Sequence, residues 1–288
     1  MTYQRKNYLG GSDIAAILGI SFKKTALDVY LDKVCPSEKK RGTKETDRGN
    51  RAEAYVLDTY TDETKNDLTR GIKTFFDQQY PFLAGNIDAK VKNKNIIVEA
   101  KTTAESLSQW DDGIPEYYKT QVGHYAWLLD AERVDIPVVF SAWKYKCFTY
   151  ERDTEYEKNL KERAIQFWTN HVLKKIPPDP ICLEDVIKLY PVSNGKKIKL
   201  LGSLKKTFEN LKSLKADIKE KQEAFKQGVK IIQEYMEKNE VLCDNEKDLV
   251  TWKTQTSKRF DTRAFAEDYP GLSDQYKKGI TIRVFKIK

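Results

Sequence analysis

Three charged side chains stand in this sequence where a strand should be apolar. Phe82–Lys101 reads FLAGNIDAKVKNKNIIVEAK. Phe82–Val91 is mostly apolar and carries one acid, Asp88. Lys92-Asn93-Lys94-Asn95 is a polar turn, and Ile96-Ile97-Val98 is a β-branched run with the composition of a buried strand. That run leads directly into Glu99-Ala100-Lys101. Residues i and i+2 of a strand share a face, so Glu99 and Lys101 point one way and Val98 and Ala100 the other. A hairpin brings Asp88 beside Glu99. Unpaired buried charge is costly, so the cluster calls for a compensating ion or a structural salt bridge. Two adjacent acids favour a divalent cation, with the lysine left to face the chemistry.

Other chemistry-bearing residues lie on either side. The spacing predicts a helix over Gly49–Thr61, with Glu53, Val56, Leu57 and Tyr60 on one stripe. Glu53 is therefore in line with the inward face. It is either a salt-bridge partner for Arg48 or Arg51 or a third carboxylate for the site. Gly10-Gly11-Ser12-Asp13 precedes the helical pattern Ile14, Ile17, Leu18, and Ser12 fits an N-cap. A capped short helix accounts for this stretch. Glycines before a helix also expose N–H groups that can hold phosphate, and Arg5, Lys23 and Lys24 flank the turn with positive charge. A second Glu-x-Lys, Glu38-Lys39-Lys40, has neither an apolar run before it nor an acid on an upstream strand, and is set aside.

Downstream, Pro115 suits the first residue of a helix on which Tyr118, Val122, Tyr125 and Leu129 recur. Gln121 and Tyr125 are i, i+4 neighbours there. His124, a lone histidine, reads as structural or surface. Val134–Trp143 and Cys147–Arg152 read as a second hairpin, and Thr154–Lys175 as a helix ended by Ile176-Pro177-Pro178. That stop places a domain boundary at 176/177, giving a core of 1–176 and an extension of 177–288. The extension shows a long Lys-rich amphipathic helix over Leu201–Glu240. Its apolar line is Leu204, Phe208, Leu211, Ile218, Phe225, Val229, Ile232 and Met236. Leu249–Thr256 and Ile280–Ile287 are expected to pair as strands around a short helix at Thr262–Asp268, with Trp252 packed.

The 288 residues, 40% hydrophobic, are enough for one large domain with an appendage, and a net charge of +8 is compatible with a polyanionic partner. Cys35, Cys147, Cys182 and Cys243 are far apart, with no metal-binding spacing. No leader-like or membrane-spanning apolar run is present, so a soluble, intracellular protein is expected.

In this order the pieces resemble the phage-type YqaJ recombinase and lambda-exonuclease family of the PD-(D/E)xK nuclease superfamily. The resemblance runs over about residues 5–150. It rests on Gly10-Gly11-Ser12-Asp13, Glu53 in its helix, Gly85-Asn86-Ile87-Asp88, Val98-Glu99-Ala100-Lys101, and Gln121 with Tyr125 as a Q-x-x-x-Y element. Ile87 stands where the superfamily's name has proline. The scattered cysteines depart from the Cas4-like branch. The fold implied is α/β (α+β): a central mixed β-sheet flanked by helices, a restriction-endonuclease-like core, with a helical and β-hairpin extension.

The activity the resemblance implies is a Mg²⁺-dependent 5′-to-3′ exonuclease on double-stranded DNA ends, leaving 3′ tails for recombination, with Mn²⁺ able to substitute. Asp88, Glu99, the Ala100 carbonyl and Glu53 are the implied metal ligands. Lys101 would stabilise charge, being a poor base at its ordinary pKa of about 10.4. Gln121 and Tyr125 would position it or the phosphate. Arg5 and Ser12 look like a 5′-phosphate pocket. A ring-shaped trimer, a single-strand annealing protein as partner and a place in the bacterial host's cytoplasm are implied in the same way. A structure-specific or nicking endonuclease of the same fold and a catalytically silent DNA-binding scaffold are the alternatives.

Overall fold

The structure, a computed structural model, describes residues 5–35, 44–103, 110–141 and 144–288, without the side chains of 44–48 and 50. The Glu38-Lys39-Lys40 tripeptide, the Arg48 side chain and Trp143 lie outside them. The chain divides into two compact units, Met1–Leu189 and Tyr190–Lys288. The break follows helix Leu183–Leu189 rather than the proline run after Ile176. That helix belongs to the first unit because its buried Asp185 accepts from Thr25 Oγ1 at 2.8 Å.

The first unit begins with helices α1 (Gly11–Ile17), α2 (Ala26–Val34) and α3 (Lys44–Thr64). Strands β1 (Leu68–Arg70), β2 (Phe75–Phe76), β3 (Ala84–Gly85), β4 (Ala89–Val91), β5 (Ile96–Val98) and β6 (Lys101–Thr102) follow. Then come α4 (Glu116–Leu128), β7 (Arg133–Val139), β8 (Tyr145–Glu151), α5 (Thr154–Phe167) and α6 (Leu183–Leu189). Six of these strands form one mixed sheet in which β4 and β5 are antiparallel, β5 and β6 run parallel to β7, and β8 returns antiparallel. β5 and β6 meet β7 in one unbroken register, Val98 opposite Asp135 and Lys101 opposite Val138. They are two stretches of a single line, interrupted at Glu99-Ala100. The parallel pairing requires a crossover, and α4 supplies it. The expected central mixed sheet flanked by helices is present.

Alternation along β5 sorts the core. Ile97 packs with Val122, Tyr125 and Ala126 of α4. Ile96 and Val98 pack with Leu57 and Tyr60 of α3, on the other face. Val56, Leu57 and Tyr60 are all buried, as the stripe on that helix required. A third cluster joins α1, α2 and α5 through Leu9, Ile14, Leu27, Leu83, Leu160 and Phe167. His124 is fully buried in α4, its Nε2 2.9 Å from the Ala84 carbonyl, and burial pushes it down to about 4, so it is a neutral structural histidine.

Several local expectations are corrected. Gly10, not Ser12, caps α1: its N–H donates to Asp13 Oδ2 at 3.1 Å, and Asp13 N–H donates to the Gly10 carbonyl at 2.8 Å. Pro115 is the N-cap of α4 rather than its first turn. α5 gives way at Trp168–Leu173 to a wider helical turn. β1, at Leu68–Arg70, is a strand that the residue pattern did not announce. In the second unit, α7 (Gly202–Met236) matches the long helix and α8 (Thr262–Asp268) matches the short one; α9 (Pro270–Gln275) adds a last turn. The strand pair differs. β9 (Val241–Asp244) pairs with β10 (Lys247–Thr251), while Ile280–Ile287 carries no strand. Asn245 takes a left-handed φ of 52° and closes the hairpin between neighbours in sequence, which costs less loop entropy than pairing across the helix. Trp252, expected to pack, is 44% exposed.

One buried polar contact ties α3 to the sheet: Tyr60 Oη donates to Asp135 Oδ2 at 2.7 Å. Tyr60→Phe should cost about 1–3 kcal/mol. Urea unfolding of the two proteins reads this as a lower midpoint at unchanged slope; an unchanged midpoint would show that the contact does not contribute.

Candidate active site

The β4–β5 register builds the site. Ala89 pairs with Val98, so the next residues outward, Asp88 and Glu99, are brought side by side where the hairpin opens. Asp88 then acts as a backbone surrogate: its Oδ2 accepts from Ala100 N–H at 2.9 Å. The β5–β6 line breaks at that point. Glu99 and Lys101 share the face of Ile97 and so lie beneath α4, which presents Gln121 and Tyr125 one turn apart.

The contacts are close. Lys101 Nζ donates to Glu99 Oε1 at 2.7 Å and to Gln121 Oε1 at 3.2 Å. Gln121 Nε2 donates to the same Glu99 Oε1 at 2.6 Å and to Tyr125 Oη at 3.1 Å. Lys101 also lies 5.5 Å from the Tyr118 ring centre. Glu99 is 3% exposed, and its second oxygen, Oε2, is buried with no hydrogen-bond partner among the described residues. A buried carboxylate oxygen without a donor is an open demand for positive charge.

The electrostatics agree. Burial pushes Glu99 up to about 7, Lys101 opposing and Asp88 adding to the rise. Burial also raises Asp88, against Lys101 and the Ala100 N–H. Half-buried Glu53 is raised by burial and then by the Asp88 charge, which places it in the same field although α3 lies on the opposite face of the sheet. Burial works to lower Lys101, but the Glu99 charge and hydrogen bond outweigh it and hold the ammonium above its ordinary value. Burial and the Glu99 charge keep Tyr125 a neutral phenol. The pocket thus carries more acid than one lysine can balance.

Among the described residues, no three His, Cys, Asp or Glu side chains converge tightly enough to enclose a metal ion. Asp88 and Glu99, with a backbone carbonyl and waters, nevertheless suit Mg²⁺, which binds through one or two carboxylates and keeps most of its water. The partnerless Glu99 Oε2 is the observation that makes the donor set fit.

Beside this cluster lies a second polar group. Arg5 Nη2 donates to Ser12 Oγ at 2.9 Å and lies 3.5 Å from Asp13 Oδ2. A Cβ on Gly11 would fall 2.9 Å from Tyr125 and 3.0 Å from Gln121. Only glycine lets the start of α1 approach α4 so closely, with Gly11, the residue before Ser12, against the Gln121–Tyr125 pair. Lys33 was not singled out in the sequence. Its buried Nζ donates to Asp13 Oδ2 at 2.9 Å and to the Arg5 carbonyl at 3.2 Å. Burial holds Lys33 below its ordinary value despite Asp13; Asp13 stays below the carboxylate range because Lys33, Arg5 and the Gly10 N–H outweigh its own burial. Asp13 is thus an ionised carboxylate whose charge is shared between Lys33 and Arg5. The signal was legible in principle, since Lys33 continues the buried stripe of Leu27 and Tyr30 on α2.

Lys23 and Lys24 are placed differently. Lys23 Nζ lies 5.3 Å from the Phe22 ring centre and 5.8 Å from that of Tyr117, while Lys24 Nζ bonds Asp32 at 2.6 Å. Among the described residues, no contact joins either to Arg5 or Ser12.

Because the folded Glu99 titrates near 7, against about 4.5 for its ordinary value, its protonated form favours the fold. That contribution is complete below about pH 4.5 and is lost as pH rises through about 7. The metal-free protein should therefore lose of order 1–3 kcal/mol over that window. Glu99→Gln should remove this slope in a thermal-melt series. Mg²⁺ at a hundred times its Kd should restore about 2.7 kcal/mol at the alkaline end for the native chain.

Residues 2–132 match the family model of the YqaJ-like viral recombinase domain. The chain is 28% identical over 296 aligned positions to the "Uncharacterized protein YqaJ" of Bacillus subtilis strain 168, covering 99% of this chain and 92% of that one. Among solved structures, it is similar to the alkaline exonuclease LHK-Exo of Laribacter hongkongensis, with a TM-score of 0.48, 13% identity, and 60% of this chain and 91% of that one covered. It is also similar to a phage-related exonuclease of Haemophilus somnus, with a TM-score of 0.46, 16% identity, and coverage of 58% and 96%. Nothing in the site's chemistry rests on these last two likenesses. The stretch that matches the YqaJ-like viral recombinase model, residues 2–132, holds Asp88, Glu99, Lys101, Gln121 and Tyr125.

Proposed function

We propose that this chain is a divalent-metal-dependent deoxyribonuclease that works from duplex DNA ends, digesting 5′-to-3′ and leaving 3′ single-stranded tails for recombination. One observation carries the reading. Glu99, beside Asp88, holds Lys101 and Gln121 on one oxygen and leaves the other buried with no hydrogen-bond partner among the described residues. That is an acid pair prepared for a cation, with an ammonium at its edge.

Asp88, Glu99 and the Ala100 carbonyl would hold Mg²⁺ or Mn²⁺, with Glu53 adding to the negative field. When bound, the ion polarises the scissile phosphate and lowers the pKa of a coordinated water. The remaining work falls to the chain. Lys101 is held protonated by Glu99, so it acts as a fixed positive charge toward the transition state rather than as a base. Gln121 bonds both Glu99 and Lys101 and fixes their separation. Tyr125 accepts from Gln121, which leaves its O–H as a donor for a phosphate oxygen. Arg5 and Ser12 would seize a terminal 5′-phosphate, while Lys23 and Lys24 supply further backbone contacts. Such contacts position the duplex without reading sequence, and the charge of +8 favours that substrate. A restriction-endonuclease-like core, a ring-shaped trimer and a single-strand annealing partner belong to the same reading, drawn from the family resemblance.

The test compares three substrates in Mg²⁺: 5′-phosphorylated linear duplex, 5′-hydroxyl linear duplex and a covalently closed circle. The phosphorylated end should be digested fastest and the circle left intact. Cutting of the circle at a comparable rate would turn the assignment to an endonuclease. Asp88→Ala should abolish cleavage. Lys101→Met should lower the rate about 10²–10³-fold without loss of fold by circular dichroism. Arg5→Ala should erase the preference for a 5′-phosphate while leaving slow digestion of 5′-hydroxyl ends. Full activity in Asp88→Ala would remove this active site altogether.

A further inference from the structure

The long helix of the second unit carries an exposed seam with its own rule. Positions 204, 208, 211, 215, 218, 222, 225, 229, 232 and 236 alternate steps of four and three along α7. All are apolar except Lys215 and Gln222. This is a 3.5-residue period sustained over most of the helix. A straight α-helix has 3.6 residues per turn, so such a line drifts by about 20° per heptad unless the helix supercoils round another helix. A helix lying on a sheet or a hairpin has no reason to keep that period. The seam is nevertheless largely open: Ile218 is 55% exposed and Phe225 is 73% exposed, Met236 is buried at the far end, and in the middle Lys215 donates to the Ile287 carbonyl at 2.6 Å, where Ile287 and Lys288 border Ile218. β10 and the residue after it wall the C-terminal half, where Val250 and Trp252 face Phe225, Val229 and Ile232 across a groove of about 570 Å³.

Charge selects the occupant. The edge one residue beyond every second seam position reads Lys205, Lys212, Lys219 and Lys226, all exposed, and ends on Gln233. The opposite edge reads Thr207, Leu214, Lys221, Gly228 and Tyr235. An antiparallel second copy would set the four-lysine edge against itself. A parallel copy would set Lys221 against Lys226 and provide no attractive pair. Residues flanking a coiled-coil seam decide the partner in this way.

We infer that α7 is a docking helix for an acidic amphipathic helix of another protein, one with apolar residues at the same spacing and Asp or Glu along the edge facing the lysines. The inference is independent of the nuclease reading, since no residue of the active site enters it.

The experiment uses the full chain and two fluorescein-labelled synthetic peptides of about four heptads, with Leu at both seam positions and either Glu or Lys at the flanks. In anisotropy titrations the Glu peptide should bind at least about tenfold more tightly than the Lys peptide. The gap should narrow with added salt. Changing Lys205, Lys212, Lys219 and Lys226 together to Glu should reverse the order. Ile218→Asp and Phe225→Asp, at exposed positions that the fold tolerates, should weaken binding of the Glu peptide. Equal affinity for the two peptides would overturn the inference. So would displacement of the Glu peptide by duplex DNA, which would give the lysine edge to nucleic acid. Self-association that Ile218→Asp abolishes would give the seam to a second copy and likewise overturn it.

Discussion

A single hydrogen bond organises the first unit's chemistry: the Ala100 N–H donating to the Asp88 carboxylate at 2.9 Å. It ends the antiparallel pairing of β4 and β5 by putting a side-chain oxygen where a strand carbonyl would be. The backbone is satisfied, as buried backbone must be, but the satisfaction comes from a charged group. Asp88 is thereby fixed against Glu99 in a place neither would choose in a metal-free protein. Burial raises both carboxylates, and Glu99 goes up to about 7. The site is uncomfortable by construction, and the discomfort has one sign.

The rest of the unit supports that arrangement from two faces. α3 seals the side of Ile96 and Val98, so β5 is apolar on both faces until Glu99. α4 seals the side of Ile97 and continues past it, so its polar residues, Gln121 and Tyr125, arrive over Glu99 and Lys101. The same helix is pressed by α1 through Gly11, which ties the Arg5–Ser12 group to the acid cluster. Lys33 and Asp13 form a buried pair behind it. Removing one member of such a pair leaves an uncompensated charge, worth about 3–5 kcal/mol. The pair holds the guanidinium's surroundings rather than touching a substrate.

The second unit follows a different logic. Its long helix has few buried residues and a periodic apolar line left open, whereas the first unit buries its helices on a sheet. Stability in the first unit comes from intramolecular burial. The second unit keeps apolar surface in water, which a folded chain retains where an interaction needs it.

The sequence by itself determined the elements and the chemistry. Period-two alternation set Glu99 and Lys101 on one face, 3.6-residue spacing put Val56, Leu57 and Tyr60 inward, and the polar turn at Lys92–Asn95 fixed the hairpin register that pairs Asp88 with Glu99. These are local properties, written in residues near each other along the chain. Contacts between distant segments were decided by the tertiary structure. Gly10 rather than Ser12 caps α1 because Asp13 turns back on it, and Asp13 is held there by Lys33 from another helix. The strand expected at Ile280–Ile287 gave way to a nearer one at Val241–Asp244, because a hairpin between neighbours closes a shorter loop. The partnerless oxygen of Glu99 is legible only once α3, α4 and the sheet have closed around it. Burial is a property of the assembled fold, and it is burial that turns a common tripeptide into a cluster with more acid than its one lysine can balance.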